Sequence, residues 1–398
     1  MTAEKYIDGI EKQLDGLYGG LTAMSRAIWE NPETGHREYK ASGLLTDVLE
    51  QNGFEVTKGI CEMDTAFIGV KKSRKPGPVI AFVAEYDALP GLGHACGHNL
   101  FCCSAVGAAI ALSSLLDELG GEIRVLGSPA EEGTVENYGA KVVFVERGYF
   151  DDVDCAFTAH AEGETVIERC LVAASTVKVH FKGVAVHAGG APELGKNALT
   201  AGMLCMNNMN AIRQQDRPCD VVNAIVTEGG TLSNTIPDSC RLEFSIRSKT
   251  SEYLERVMHN LENSVKAAAL VTGCDYETEV VKNPMKDTRS NHELGLVMAE
   301  YLDRAGVPYK QYDERNFAWD VGDISHVCPT LGSYFKIGPQ DIVCHTDGFR
   351  EAANSEEGYE GMLLAAKGMA VTACEYLCNP ELWERVRKEF EETRKQVS

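Results

Sequence analysis

The apolar run Val79-Ile80-Ala81-Phe82-Val83 leads directly into a segment, residues 84–99, that carries Glu85, Asp87, His94, Cys96, His98 and Asn99. A continuous apolar run bounded by Pro78 and by turn residues reads as a strand buried on both faces. Such a strand needs a covering layer on each side, which restricts the chain to an α/β architecture built on a mostly parallel sheet. Acids, a thiol and imidazoles set just past its end point to a chemical site there.

At 398 residues, two domains are expected. The 44% hydrophobic content suffices for a full core. No apolar stretch reaches the length of a membrane span. The start, Met1-Thr2-Ala3-Glu4-Lys5, has no apolar leader, so a cytoplasmic location is expected. The 14 cysteines are scattered, and Cys102, Cys103, Cys205, Cys374 and Cys378 sit in apolar helical patterns where a thiol acts as a small hydrophobe. This usage fits a reduced compartment. A net charge of −21 argues against nucleic acid as a partner, and no membrane partner is expected. The charge does not define a substrate.

Helical spacing covers 5–29, is broken by Asn31-Pro32-Glu33, and resumes over 41–52 before Gly53. Strands are expected at 66–70, 79–83, 122–126 and 155–158, with helices from Asn99 to 119 and over 138–147. Period-two alternation begins at Thr176 and runs to Lys182. A helix over 197–214, strands at 221–226 and 240–247, a helix over 251–270 and a strand at 275–281 complete a β-α-β-β-α-β order, the ferredoxin-like pattern. The α/β pattern returns with a helix at 292–305, a strand at 331–337 and helices to 398. The expected division is a discontinuous catalytic domain, 1–174 and 288–398, interrupted by an inserted α+β domain, 175–287.

Candidate ligands follow four predicted strands: Asp87, Cys96 and His98; Glu131 and Glu132; His160; and His345. In open parallel sheets ligands bind beyond the carboxyl ends of the strands, so these loops can meet at one rim. Thiolate, imidazole and carboxylate together suit zinc or a similar divalent ion. Cys96, His98, Glu132, His160 and His345 exceed what one tetrahedral ion needs and suffice for two ions sharing a bridging ligand and a water. Such a pair activates water and clamps the oxygens of a hydrolytic transition state. Of the adjacent carboxylates Glu131 and Glu132, one can bind metal while the other carries the proton.

Each piece alone has an ordinary explanation. A Cys-x-His can be buried core, a Glu-Glu pair a solvated surface, and His160 a hydrogen-bonded core histidine. His94 reads as a turn residue, because its spacing would crowd one ion, and His36, His259, His292 and His326 lack clustered partners. Trp319, Phe317 and Tyr334 can line a pocket or pack in the core.

At these residues the chain resembles the aminoacylase/glutamate carboxypeptidase family of cocatalytic metallo-amidohydrolases, and within it the aminobenzoyl-glutamate hydrolase-like branch. The resemblance rests on Asn31-Pro32-Glu33-Thr34-Gly35, the Asp87 to Asn99 motif, Pro129-Ala130-Glu131-Glu132-Gly133 and Thr158-Ala159-His160. It continues through His187-Ala188-Gly189-Gly190-Ala191-Pro192, Asn234-Thr235-Ile236-Pro237-Asp238 and His345-Thr346-Asp347. It implies Glu131 as general base and acid, and Cys96, His98, Glu132, His160 and His345 as ligands of two divalent ions, zinc or manganese first, with cobalt or nickel as alternatives. Cys96 stands where most relatives carry a bridging aspartate. Glu85 stands where the carboxypeptidase branch has a histidine, and Asp87 matches the aspartate that orients ligands. Asn99-Leu100-Phe101 replaces the Asp-x-His of the indole-conjugate branch. The family's inserted domain builds a homodimer in which a histidine, matched by His187, reaches the active site of the opposite protomer and polarises the scissile carbonyl. Asn234 would contact the carbonyl or the substrate carboxylate. Arg247 can clamp that carboxylate or be a strand-surface charge.

The reading is a metal-dependent amidohydrolase that releases an amino acid from an N-acyl amino acid, aminobenzoyl-glutamate-like or dipeptide substrate. Two alternatives stay open: a thiol hydrolase with Cys96 as nucleophile and His98 as its base, and a non-catalytic peptide-binding relative.

Overall fold

The strand at 79–83 is real and is covered on both sides. The computed structural model describes residues 2–133, 135, 138–281 and 284–395, so the parts of the assignments above that fall on other positions, such as the last helix at 396–398, lie outside the described residues. In chain order the elements begin with α1 (Glu4–Trp29), α2 (Tyr39–Gln51), β1 (Glu55–Lys58), β2 (Phe67–Lys72) and β3 (Val79–Glu85). Next come α3 (His98–Ser113), α4 (Leu116–Leu119), β4 (Glu122–Ser128), α5 (Ala140–Glu146), β5 (Cys155–Glu162) and β6 (Val166–Cys170). The middle segment holds β7 (Ala173–Lys182), α6 (Ala198–Ile212), β8 (Val221–Glu228), β9 (Ser239–Ser248), α7 (Ser251–Thr272) and β10 (Asp275–Val280). The last stretch holds α8 (His292–Ala305), β11 (Lys310–Glu314), α9 (Val321–Ser325), β12 (Thr330–Lys336), α10 (Asp347–Ala352), α11 (Glu356–Cys378) and α12 (Pro380–Lys395).

The chain divides into two units, one of 1–170, 288–315 and 320–398, the other of 171–287 and 316–319. In the first, eight strands form one sheet in the order β1-β2-β4-β3-β5-β12-β6-β11. Its centre, β4, β3, β5 and β12, is parallel. Along β3, Ile80, Phe82 and Ala84 join one apolar cluster while Ala81 and Val83 join another on the opposite face. This two-sided burial is what an uninterrupted apolar run encodes. On the first face α3 is buried along its whole length. Its Ala, Gly, Ser and Cys residues let neighbours approach closely: a Cβ on Gly107 would lie 2.8 Å from the Leu21 side chain.

The structure departs from the sequence reading in several places. The strand expected at 155–158 runs on to Glu162, because β12 pairs with it along that length, so His160 lies inside β5 and not after it. The helix expected to reach 119 stops at Ser113, with a short turn of α4 behind it. Strands β1, β6 and β11 have no counterpart in the sequence reading.

The second unit is a four-stranded antiparallel sheet, β10-β7-β9-β8, packed on α6 and α7, which is the ferredoxin-like order. Burial alternates along β7, where Val177, Val179 and Phe181 face the helices. Among the described residues no helix is long and apolar enough to cross a membrane.

Candidate metal centre

The parallel strands deliver their carboxyl ends to one rim, where most of the ligand candidates meet. Glu85 is the last residue of β3, and the loop after it returns to start α3 at His98. The turn between Cys96 and His98 depends on Gly97, whose φ is +78° and whose added Cβ would sit 2.8 Å from the Ala161 Cβ. Only glycine takes that backbone cheaply at so close an approach. Cys96 Sγ thereby lies 3.5 Å from His160 Nε2 of β5.

His98 is the hinge of the site. Its Nδ1 faces both the backbone carbonyl and the carboxylate Oδ1 of Asp87, at 2.9 and 3.0 Å. Asp87 Oδ2 accepts from the Glu132 N–H at 3.0 Å. Burial would raise the Asp87 carboxyl, but the hydrogen bond and charge of His98, with the backbone N–H, outweigh it and hold the group below the usual carboxylate range. The other ring nitrogen, Nε2, is buried and makes no hydrogen bond among the described residues. It lies 3.5 Å from Glu85 Oε2 and 3.7 Å from Glu131 Oε2. A ring nitrogen fixed through its partner atom and aimed at carboxylates is the usual setting of a metal-bound imidazole.

His345 Nε2 lies 3.3 Å from Glu132 Oε2, while Glu132 Oε1 has no hydrogen bond among the described residues. Cys344 and Glu132 push the His345 imidazole up to about 10. The Glu131 carboxyl is pushed well up by burial and by the negative charges of Glu85 and Glu132. Three sets of donor atoms fall within 4.8 Å of one another: Cys96, His98 and His160; Glu85, His98 and Glu131; and Cys96, Cys344 and His345. Shared members link the sets into one string. The sulfur, imidazole and carboxylate donors and the two buried atoms without hydrogen bonds fit divalent metal, which would sit among Cys96, His98, Glu132, His160 and His345.

Five residues around the site have no signal in the sequence, or only part of one. Lys141, fully buried in α5, puts Nζ 2.6 Å from Glu85 Oε1 and also pairs with buried Asp320. Burial works against the ammonium, but Asp320 and Glu85 keep it charged. Cys344 places its thiol 3.4 Å from Cys96 Sγ. Glu38, buried below the rim, accepts from the Ala130 N–H at 2.9 Å and from Thr65 Oγ1 at 2.8 Å. Ala130, just before Glu131, has a left-handed φ of 54°. Burial, then the charge of Asp87, raises the Glu38 carboxyl to about 7. His94 is buried with neither ring nitrogen hydrogen-bonded among the described residues, and burial with the His98 charge lowers it to about 3. It belongs to none of the donor sets.

The remaining candidates lie in the second unit. His187 bridges to Thr235, and the Ala188 N–H donates to the Asn234 carbonyl at 2.8 Å, so His187 and Asn234 are neighbours, both outside the core. Arg247 lies at the far end of β9 from Asn234, and its guanidinium donates to the Asn316 carbonyl at 2.9 Å. Phe317 and Trp319 belong to the second unit, whereas Tyr334 of β12 is buried with its ring 5.3 Å from that of His160 and 4.1 Å from the Arg169 guanidinium.

Residues 172–272 match the peptidase dimerisation domain of the M20 type. The Xaa-Arg dipeptidase of Mus musculus is 34% identical over 395 residues, covering 95% of this chain and 90% of that protein. One of the chains that make up the p-aminobenzoyl-glutamate hydrolase of Escherichia coli is 27% identical, covering 93% and 92%. Among solved structures, an aminohydrolase from methicillin-resistant Staphylococcus aureus shares the fold with a TM-score of 0.78 at 19% identity, over 93% of this chain and 99% of that one. A Bacillus subtilis protein described as a dinuclear metal-binding peptidase of the M20 family matches with a TM-score of 0.68 at 21% identity, over 91% and 99%. Identity, coverage and the matched dimerisation domain agree: the chain belongs to the M20 peptidase family and is a hydrolase of amide bonds.

Proposed function

We propose that this protein is a two-metal dipeptidase that cleaves the amide bond next to a C-terminal residue bearing a free carboxylate. The observation that carries this is the string of donors at the rim: Cys96 lies with His98 and His160 and also with His345, His345 is 3.3 Å from Glu132, and His98 is 3.7 Å from Glu131. Bound divalent ions, zinc or manganese, would lower the pKa of an attacking water and place positive charge on the oxygens of the transition state. Glu131 takes the proton of the attacking water on its carboxylate and returns it to the leaving amine. Asp87 orients His98, His187 would reach the active site of the opposite protomer and polarise the scissile carbonyl, and Asn234 would contact the carbonyl or the substrate carboxylate. Arg247 is a weaker candidate for the carboxylate, because its guanidinium is already engaged by Asn316.

Identity of 34% to a Xaa-Arg dipeptidase, against 27% to a chain of an aminobenzoyl-glutamate hydrolase, favours a dipeptide with a basic C-terminal residue. The second unit would pair two copies of the chain: β8 is an edge strand of its sheet, exposes Ile225 and Val226, and lies in the segment matching the dimerisation domain. Cysteines that are all free support the reducing cytoplasm as the location.

The test is hydrolysis of a panel containing Xaa-Arg and other dipeptides, N-acyl amino acids and aminobenzoyl-glutamate, read by mass spectrometry. Each substrate is run after chelation and after zinc or manganese is restored. Cleavage of Xaa-Arg that vanishes with chelator and returns with metal is expected. Cleavage that survives chelation would favour the thiol mechanism at Cys96, and binding without cleavage under any metal would favour a non-catalytic role.

A further inference from the structure

Cys344 stands beside the expected ligand His345, yet adjacent side chains along a chain ordinarily diverge. Here they converge. His345 has a left-handed φ of 63°, a conformation that non-glycine residues seldom adopt. With that turn, the Cys344 thiol and the His345 ring both come within 4.8 Å of the Cys96 sulfur. The pair is pinned from below by one acceptor: the Ala95 carbonyl takes the His345 N–H at 2.9 Å and the Cys344 S–H at 3.5 Å. The two sulfurs are 3.4 Å apart, and Cys96 Sγ is 3.5 Å from His160 Nε2. Two thiols and two imidazoles thus converge at one edge of the site.

We propose that Cys344 is a thiolate ligand of the metal centre, adding a second sulfur to that of Cys96 and selecting a thiophilic ion of the zinc type over manganese. The proposal rests on the two-metal reading of the site. The chemistry follows from ligand softness: thiolates favour zinc and its thiophilic neighbours, whereas manganese is served by carboxylate and water. On binding, the Cys344 S–H proton leaves to solvent and the sulfur lone pair goes to the ion.

The experiment loads full-length protein with cobalt(II) in the presence of reductant and records the sulfur-to-cobalt charge-transfer absorption, with cobalt content measured on the same samples. Wild type is expected to show a band that falls to about half in C344S and in C344A, and to about half in C96S, because each thiolate contributes separately. Competition between zinc and manganese should shift towards manganese in C344S. An unchanged band and unchanged competition in both Cys344 variants, with cobalt bound, would overturn the proposal and leave the metal hydrolase intact. A Cys96–Cys344 disulfide that persists in reductant and excludes cobalt would overturn it as well. Wild type that takes up no cobalt would overturn the two-metal reading itself.

Discussion

At one edge of the site, Cys96, Cys344, His160 and His345 offer sulfur and imidazole donors, of which the thiols take a divalent ion by giving up a proton and a neutral imidazole through its ring lone pair. At the other edge, Glu85 and Asp320 share the ammonium of Lys141, all three buried. The first edge exchanges its thiol protons for metal, while the second carries its counter-ion within the fold. Glu85 lies within ligand distance of His98 and Glu131, but its Oε1 is occupied by Lys141. Glu85 therefore has a buried counter-ion, which it shares with Asp320. Glu131 shares a donor set with Glu85 and His98, and among the described residues no lysine or arginine pairs with it, which leaves its carboxylate for proton transfer.

The largest effect should come from Glu131. Glu131→Gln keeps the shape and removes the proton carrier, so kcat should fall by about 10²–10⁴-fold with metal content unchanged. Steady-state rates and metal analysis on the same sample check this. Retained activity would move the proton to another group and erase the contrast between the edges.

Next comes the built-in counter-ion. Lys141→Met leaves Glu85 and Asp320 buried without it, and breaking a buried pair in this way costs about 3–5 kcal/mol. Urea unfolding should show that loss. Adding Glu85→Gln and Asp320→Asn to Lys141→Met should recover much of it, since the uncompensated charges are then gone. A small loss in the single variant would mean that Lys141 is not the cation holding this edge.

These edges were unequally legible in the sequence. Cys96, His98, Glu131, Glu132 and His345 stand out because each follows an apolar strand pattern, and a parallel sheet brings strand ends to one rim. His160 was found as a candidate but placed after its strand, because pairing with β12 extends β5 beyond the apolar residues. Lys141 lies on a helix and Asp320 lies 179 positions further along the chain. No local pattern links them, and a buried lysine contradicts the ordinary preference of its type. Cys344 was hidden for a different reason: only the left-handed backbone at His345 turns it to the same side. Strand β6, between β12 and β11, and the edge strand β11 carry charges such as Glu168, Arg169 and Asp313, so the apolar signal of a central strand is absent.

Glu38 sharpens the comparison, because it is a buried acid with no ammonium partner among the described residues. Its folded-state value of about 7 lies above the ordinary 4.5. The folded protein therefore holds this proton more tightly than the unfolded chain. The associated stability is present at acid pH and is lost as pH rises through about 7. At 1.36 kcal/mol per unit the whole effect is about 3 kcal/mol. Unfolding free energies measured from pH 4.5 to 8 should therefore decline in wild type relative to Glu38→Gln, which carries no such proton. Parallel profiles would mean that Glu38 is charged throughout, balanced by its hydrogen bonds from Ala130 and Thr65.

The smallest effect is expected at Asp87, which touches neither a donor sulfur nor the reacting atoms yet sets the orientation of the residue common to both edges. In Asp87→Asn the amide oxygen can still accept from His98 Nδ1. The amide nitrogen then faces the Glu132 N–H, donor against donor, and the negative charge beside the imidazole is lost. Partners of this kind are worth about 10–100-fold in metal affinity. Titration of metal-free protein against a chelator of known affinity should show that weakening, with the unfolding midpoint of the metal-free protein changed far less than in Lys141→Met. Because His98 belongs to the set with Cys96 and to the set with Glu131, a loss confined to one of two bound ions would identify the edge that depends on His98 more. An equal loss at both would mean that the imidazole binds where the two edges meet.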